Sequence, residues 1–161
     1  MGITFSPNAE KEFSKIVQSY PTKHAALLPA LWLSQKEFTY ISNEVMQFLG
    51  ERLGLTPAEV YTTATFYTMF NKKPVGKYYV QVCTNVSCML KGAQEILKAV
   101  SEKLDIKVNE STTDGLFTLS EVECLASCGT APMCQINEDY YENLTPESVV
   151  SIVEKLIEKN K

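Results

Sequence analysis

Apolar residues recur at helical spacing over the first seventy or so positions, and the pattern changes beyond Gly76. Phe13, Ile16, Val17 and Tyr20 stand at i, i+3, i+4 and i+7 and predict a first helix with one apolar stripe, which Pro21 stops. Leu27, Leu28, Leu31 and Trp32 form the apolar side of a second, followed by a connector at Thr39-Tyr40-Ile41. Ser42 is placed to cap a third helix whose Val45, Phe48, Leu49 and Leu53 face inward, and Gly54 sits where a left-handed C-terminal residue is wanted. Thr56-Pro57-Ala58-Glu59 opens a fourth: Thr56 can accept from the N3 amide, Glu59 can reach back to the cap amide, and Pro57 needs no N–H at N1. Phe66, Met69 and Phe70 extend this region as an aromatic stripe, read either as core or as a docking face.

The polar run Asn71-Lys72-Lys73-Pro74-Val75-Gly76 separates the two periodicities and predicts a boundary, with a helical bundle over 1–75 and a second domain over 76–161. Tyr78 to Val82 reads as a strand running into Cys83, and Leu90, Ala93, Leu97, Val100 and Leu104 as one helix. Asp114-Gly115 turns the chain into a second strand near Phe117 to Val122, ahead of Cys124. Met133 to Ile136 and Tyr140-Tyr141 form a hairpin across Asn137-Glu138-Asp139, whose acidic tip, with Glu142, reads as solvated. Thr145-Pro146 caps a last helix with Val149, Ile152, Val153 and Leu156 inward and Lys159 and Lys161 at its C-terminal end. The order of the second half is β-α-β-β-α, which makes the chain α+β.

Composition narrows the chemistry. The 161 residues are 45% hydrophobic, enough for a sizeable core, and a net charge of -4 without a basic stripe argues against nucleic acid as a partner. The N-terminus lacks a basic region followed by an apolar one, and no apolar run is long enough for a membrane span, so a cytoplasmic location is expected. In a reducing compartment five cysteines point to ligands, catalytic groups or buried small residues ahead of disulfides.

Four of the five stand in two pairs, Cys83-x4-Cys88 and Cys124-x3-Cys128, each in a polar loop after a strand end. Neighbouring strands are about 4.8 Å apart, so two such loops can close on one small inorganic centre. Four thiolates suit an iron–sulfur cluster, whereas a single histidine, His24, rules out Rieske ligation. Asn85, Ser87 and the backbone around Ala126, Ser127 and Gly129 are candidate donors to sulfur. Structural zinc also takes four thiolates, although its knuckles are usually C-x2-C, and a thiol–disulfide enzyme would want the absent C-x-x-C. Cys134, inside an apolar strand, reads as a packed small residue.

At Val82-Cys83-Thr84-Asn85-Val86-Ser87-Cys88 and Glu123-Cys124-Leu125-Ala126-Ser127-Cys128-Gly129-Thr130-Ala131-Pro132 the chain resembles the NuoE family, the [2Fe–2S] subunits of respiratory complex I. Thr65-Phe66-Tyr67-Thr68-Met69-Phe70, Tyr140-Tyr141-Glu142 and Leu144-Thr145-Pro146-Glu147 extend the similarity toward both ends. The resemblance implies a helical bundle followed by a thioredoxin-like α/β ferredoxin domain, with Cys83, Cys88, Cys124 and Cys128 as cluster ligands. It implies a subunit of NADH–quinone oxidoreductase, peripheral on the cytoplasmic face of the inner membrane, beside a flavoprotein subunit that binds FMN and NADH. The chain itself has neither G-x-G-x-x-G nor a phosphate-binding glycine loop, so NADH and flavin are expected on the partner. An equivalent subunit of an NAD-linked hydrogenase or formate dehydrogenase, and a zinc-stabilised scaffold, are the competing readings.

Overall fold

The computed structural model describes residues 2–160; Met1 and Lys161, and with Lys161 one of the two lysines expected at the last helix end, lie outside them. The chain divides into two compact units, Met1–Pro74 and Val75–Lys161.

The first unit holds four helices, α1 (Pro7–Ser19), α2 (Leu27–Phe38), α3 (Asn43–Leu53) and α4 (Pro57–Phe66). Local chemistry sets their ends. The Ser6 and Ser42 hydroxyls accept from Ala9 and Val45 N–H, and Gly54 closes α3 in the left-handed region at φ 65°. Thr56 and Glu59 form the expected reciprocal capping box. Phe13, Leu27, Leu31, Val45, Leu49, Leu53 and Val60 are buried together, with Phe5 packed against Phe13, Phe38 and Phe48 at ring separations of 5.4, 5.5 and 4.9 Å. Arg52 spreads its guanidinium over Phe13 at 4.6 Å while pairing with Glu10. Gln35 donates to Met69 O (3.0 Å) and accepts from Asn71 N–H (2.6 Å), which ties the segment after α4 back to α2.

Three apolar positions depart from the helical pattern. Tyr20 lies past the end of α1 and is exposed, and Trp32 is 41% exposed although its ring meets Phe70 edge-on at 5.7 Å. The stripe of Phe66, Met69 and Phe70 does not share one helix face. The chain leaves α4 after Phe66, which is 76% exposed, and the following turn drops Phe70 into the core at 1%.

The second unit contains β1 (Tyr78–Cys83), α5 (Val86–Leu90), α6 (Ala93–Leu104), β2 (Phe117–Val122), a 3-10 turn at Cys128–Thr130, β3 (Cys134–Ile136), β4 (Asp139–Tyr141) and α7 (Pro146–Glu158). The α+β class expected from the sequence holds, but two details differ. The helix expected from Leu90 to Leu104 is two helices, because Gly92 adopts φ 96° and no helix continues through that conformation; Leu90 ends up 76% exposed. The hairpin strands are both ladder members, so the order is β-α-α-β-β-β-α. The sheet order is β2-β1-β3-β4, with β1 parallel to β2 and antiparallel to β3, and β3 antiparallel to β4. Val80 and Val82 on β1 pair with Ile136 and Cys134 on β3, and all four pack against Ile96, Leu97 and Val100 of α6 and Val149 and Val153 of α7. Thr145 caps α7 by accepting from Ser148 N–H at 3.2 Å.

This burial predicts a contrast within the first unit. Leu31→Ala, at a fully buried site, lowers unfolding stability by about 2–5 kcal/mol, whereas Phe66→Ser shifts it by less than about 0.5 kcal/mol. Urea titration followed by circular dichroism checks both; equal losses would contradict the assignment of Phe66 to the surface.

Candidate iron–sulfur site

Parallel pairing of β1 with β2 puts the C-terminal ends of both strands at one end of the sheet, with Cys83 opposite Val122. Cys124 therefore follows two residues beyond that end. Antiparallel β3 starts at the same end, Cys134 lying opposite Val82, so the stretch from Cys128 to Met133 returns there as well. Cys83 N–H donates to Met133 O at 3.2 Å and Thr84 N–H to Val122 O at 3.0 Å, stitching the three chain passages together.

The thiols are not equivalent. Cys83 and Cys88 are buried at 3% and 2%, in a small apolar cluster with Ala93 and Met133, and Leu125 and Ala131 pack against it. Cys124 and Cys128 are exposed. Burial, then a hydrogen bond with Cys83 and its charge, pushes the Cys88 thiol up to about 11, while the backbone N–H of Met133 works in the opposite direction and the charge of Cys128 adds to the rise. Cys83, Cys88 and Cys128 thus share one electrostatic neighbourhood. Cys124 faces solvent, with Ala126 N–H pointed at its sulfur at 3.3 Å. Among the described residues no three His, Cys, Asp or Glu side chains are close enough to hold a single metal ion. A two-iron cluster places a different demand on the chain, two ligands on each iron, and an all-thiolate donor set in two pairs is the set it takes. The residues present fit that group.

Asn85 caps α5, its side-chain oxygen accepting from Val86 N–H at 2.8 Å. His24 is exposed in the first unit. Cys134 is fully buried on the helix-covered face of the sheet, where burial pushes its thiol up to about 12. The hairpin tip contributes more than solvated charge. Tyr140 Oη donates to Leu125 O at 2.9 Å, and Glu142 accepts from the hydroxyls of Ser127 and Thr130. Asn143 and Leu144 N–H add bonds to Thr130 O and Pro132 O at 2.8 and 2.9 Å. Alternation along β4 was the available signal, since Tyr140 and Glu142 share the side opposite Tyr141.

A mixed sheet whose parallel β1–β2 pair is bridged by helices, with thiols at the ends of those strands, defines a thioredoxin-like domain built to hold an inorganic centre. Residues 13–157 match the model of the thioredoxin-like [2Fe-2S] ferredoxin family, and the chain belongs to it. It is 43% identical over 145 residues to the E subunit of the NADH-quinone oxidoreductase of Rickettsia conorii, covering 88% of this chain and 87% of that one. The corresponding protein of Mycobacterium tuberculosis strain H37Rv, which bears the same name, is 40% identical over 147 residues, which span 91% of this chain and 58% of that longer protein. Among solved structures, an NAD+-reducing [NiFe]-hydrogenase in the air-oxidized state superposes over 83% of this chain with a TM-score of 0.72 and 21% identity. This chain spans 23% of that one, and the likeness is one of fold.

Access and ionisation order the thiols chemically. In metal-free protein at pH 8, iodoacetamide labels Cys124 and Cys128 first and Cys88 and Cys134 last, since groups held near 11 and 12 are only about one part in 10³ and 10⁴ thiolate there. Peptide mass spectrometry over time checks this; equal rates at all five would contradict it.

Proposed function

We propose that this chain is the electron-transfer subunit of an NADH–quinone oxidoreductase, carrying one [2Fe–2S] cluster on Cys83, Cys88, Cys124 and Cys128 beside a flavoprotein subunit that binds FMN and NADH. The observation that carries this reading is the delivery of two cysteine pairs to one end of the sheet by β1 and β2, in a chain 43% identical to a protein named as the E subunit of that enzyme. When bound, such a cluster takes up and releases one electron at a time.

The chain's own residues do the rest. Cys83 and Cys88 offer sulfur from a dry pocket, where hydrogen bonds are strong and hydrolysis is suppressed. Backbone N–H groups of Met133 and Ala126 reach the sulfurs of Cys88 and Cys124 and offset negative charge there. The exposed Val86, Met89 and Leu90 of α5 flank Cys88 and leave an apolar rim beside the site for a protein partner. Among the described residues no helix is long and apolar enough to cross a membrane. Placement on the cytoplasmic face of the inner membrane therefore comes through the rest of the complex.

An NAD-linked hydrogenase subunit would use the same site, but relatives at 40–45% identity carry the NADH–quinone oxidoreductase name, and the hydrogenase likeness at 21% concerns the fold. A zinc scaffold is disfavoured by membership of a [2Fe-2S] family.

Two experiments test the proposal. Serine at Cys83, Cys88, Cys124 or Cys128 weakens or abolishes the visible bands and lowers bound iron, while Cys134→Ala keeps wild-type iron; loss of cluster from Cys134→Ala alone would overturn the ligand set. NADH added to the isolated chain leaves the bands unchanged, and addition of the flavoprotein subunit then bleaches them under anaerobic conditions. Bands that persist with the flavoprotein present would contradict the partnership.

A further inference from the structure

We propose that Glu142 is a positioning residue of the site: its carboxylate clamps the loop bearing Cys124 and Cys128 and holds a cluster bound there at a lower reduction potential, an inference that rests on the [2Fe–2S] reading above. The loop from Cys124 to Thr130 has little regular structure of its own, a 3-10 turn at Cys128–Thr130 and one backbone bond from Thr130 N–H to Ser127 O at 3.2 Å. Ala126 sits in the left-handed region at φ 60°, which is unfavourable for a non-glycine residue. Its N–H points at the Cys124 sulfur at 3.3 Å. A residue stays so placed only when its surroundings fix it.

The fixing contacts come from β4 and the residues after it. Tyr140 Oη donates to Leu125 O, on one side of Ala126, and Glu142 accepts hydrogen bonds from the hydroxyls of Ser127, on the other, and of Thr130. Each hydroxyl has a single proton to give. The Ser127 and Thr130 hydroxyls also lie 2.7 Å apart, so the Ser127 proton, next to Cys128, is committed to Glu142 or to Thr130 Oγ1 instead of a sulfur. The hydrogen bonds from Ser127 and then Thr130 hold the Glu142 carboxyl below its ordinary range, so it is anionic at neutral pH. A fixed negative charge and a diverted donor both disfavour adding an electron to an already anionic centre.

Purified holoprotein distinguishes charge from reach. Glu142→Gln removes the charge while keeping an acceptor, and its midpoint potential, followed by EPR in a redox titration, moves to a more positive value with iron and sulfide retained. Glu142→Asp keeps the charge but draws it back by one methylene; its midpoint stays near wild type while iron release to a chelator quickens several-fold. Failure of Glu142→Gln to hold iron, with Glu142→Asp holding it, also supports the clamp. Wild-type midpoint and wild-type iron release in both variants would overturn the proposal. A wild-type chain devoid of iron and sulfide is a separate failure, that of the [2Fe–2S] reading itself.

Discussion

The parallel pairing of β1 with β2 is the constraint on which the site depends. A parallel pair needs a long crossover, supplied here by α5 and α6, and in return it brings the C-terminal ends of two strands distant in sequence to one end of the sheet. Cys83 ends one of them, and Cys124 lies two residues past the other. Antiparallel β3 then closes the arrangement by starting where β1 stops. A one-residue slip in the β1–β2 register would turn the Val80 and Val82 faces away from α6 and α7, so burial of those valines holds the two cysteine loops opposite each other.

Within that frame the two pairs meet different environments. Cys83 and Cys88 are enclosed by Ala93 and Met133, and burial favours the thiol form of Cys88. Cys124 and Cys128 stand on a loop whose shape is imposed from outside, by Tyr140, Glu142 and the backbone that follows. The dry side restrains its cysteines by packing and the wet side by hydrogen bonding. Cys134, one residue beyond Met133, faces the hydrophobic core.

What was legible in the sequence was mostly local. The Thr56–Glu59 capping box, the Ser42 and Thr145 caps and the Gly54 terminus are set by residues within one turn of each other, and each is formed as expected. The placement of the cysteines was legible for a related reason, because Cys83 is the last residue of one strand and Cys124 follows two residues after another. The misreadings arose where the backbone turned out of the helical period or a distant segment decided the outcome. Leu90 fits the helical period of Leu97 and Leu104, yet Gly92 breaks the helix between them. Phe66 and Phe70 look alike in the sequence, but the chain turns after α4 and buries only the second. Glu142 lies fifteen residues from Ser127, and no short-range pattern joins them.

The central claim is that the four thiols at the end of this sheet hold iron and sulfide. Its most direct test is the absorption spectrum of anaerobically purified chain before and after dithionite, with iron and acid-labile sulfide assayed on the same sample. The account predicts visible bands that bleach on reduction and about two irons and two sulfides per chain, as a [2Fe–2S] centre requires. A colourless protein with stoichiometric zinc and no sulfide would contradict it.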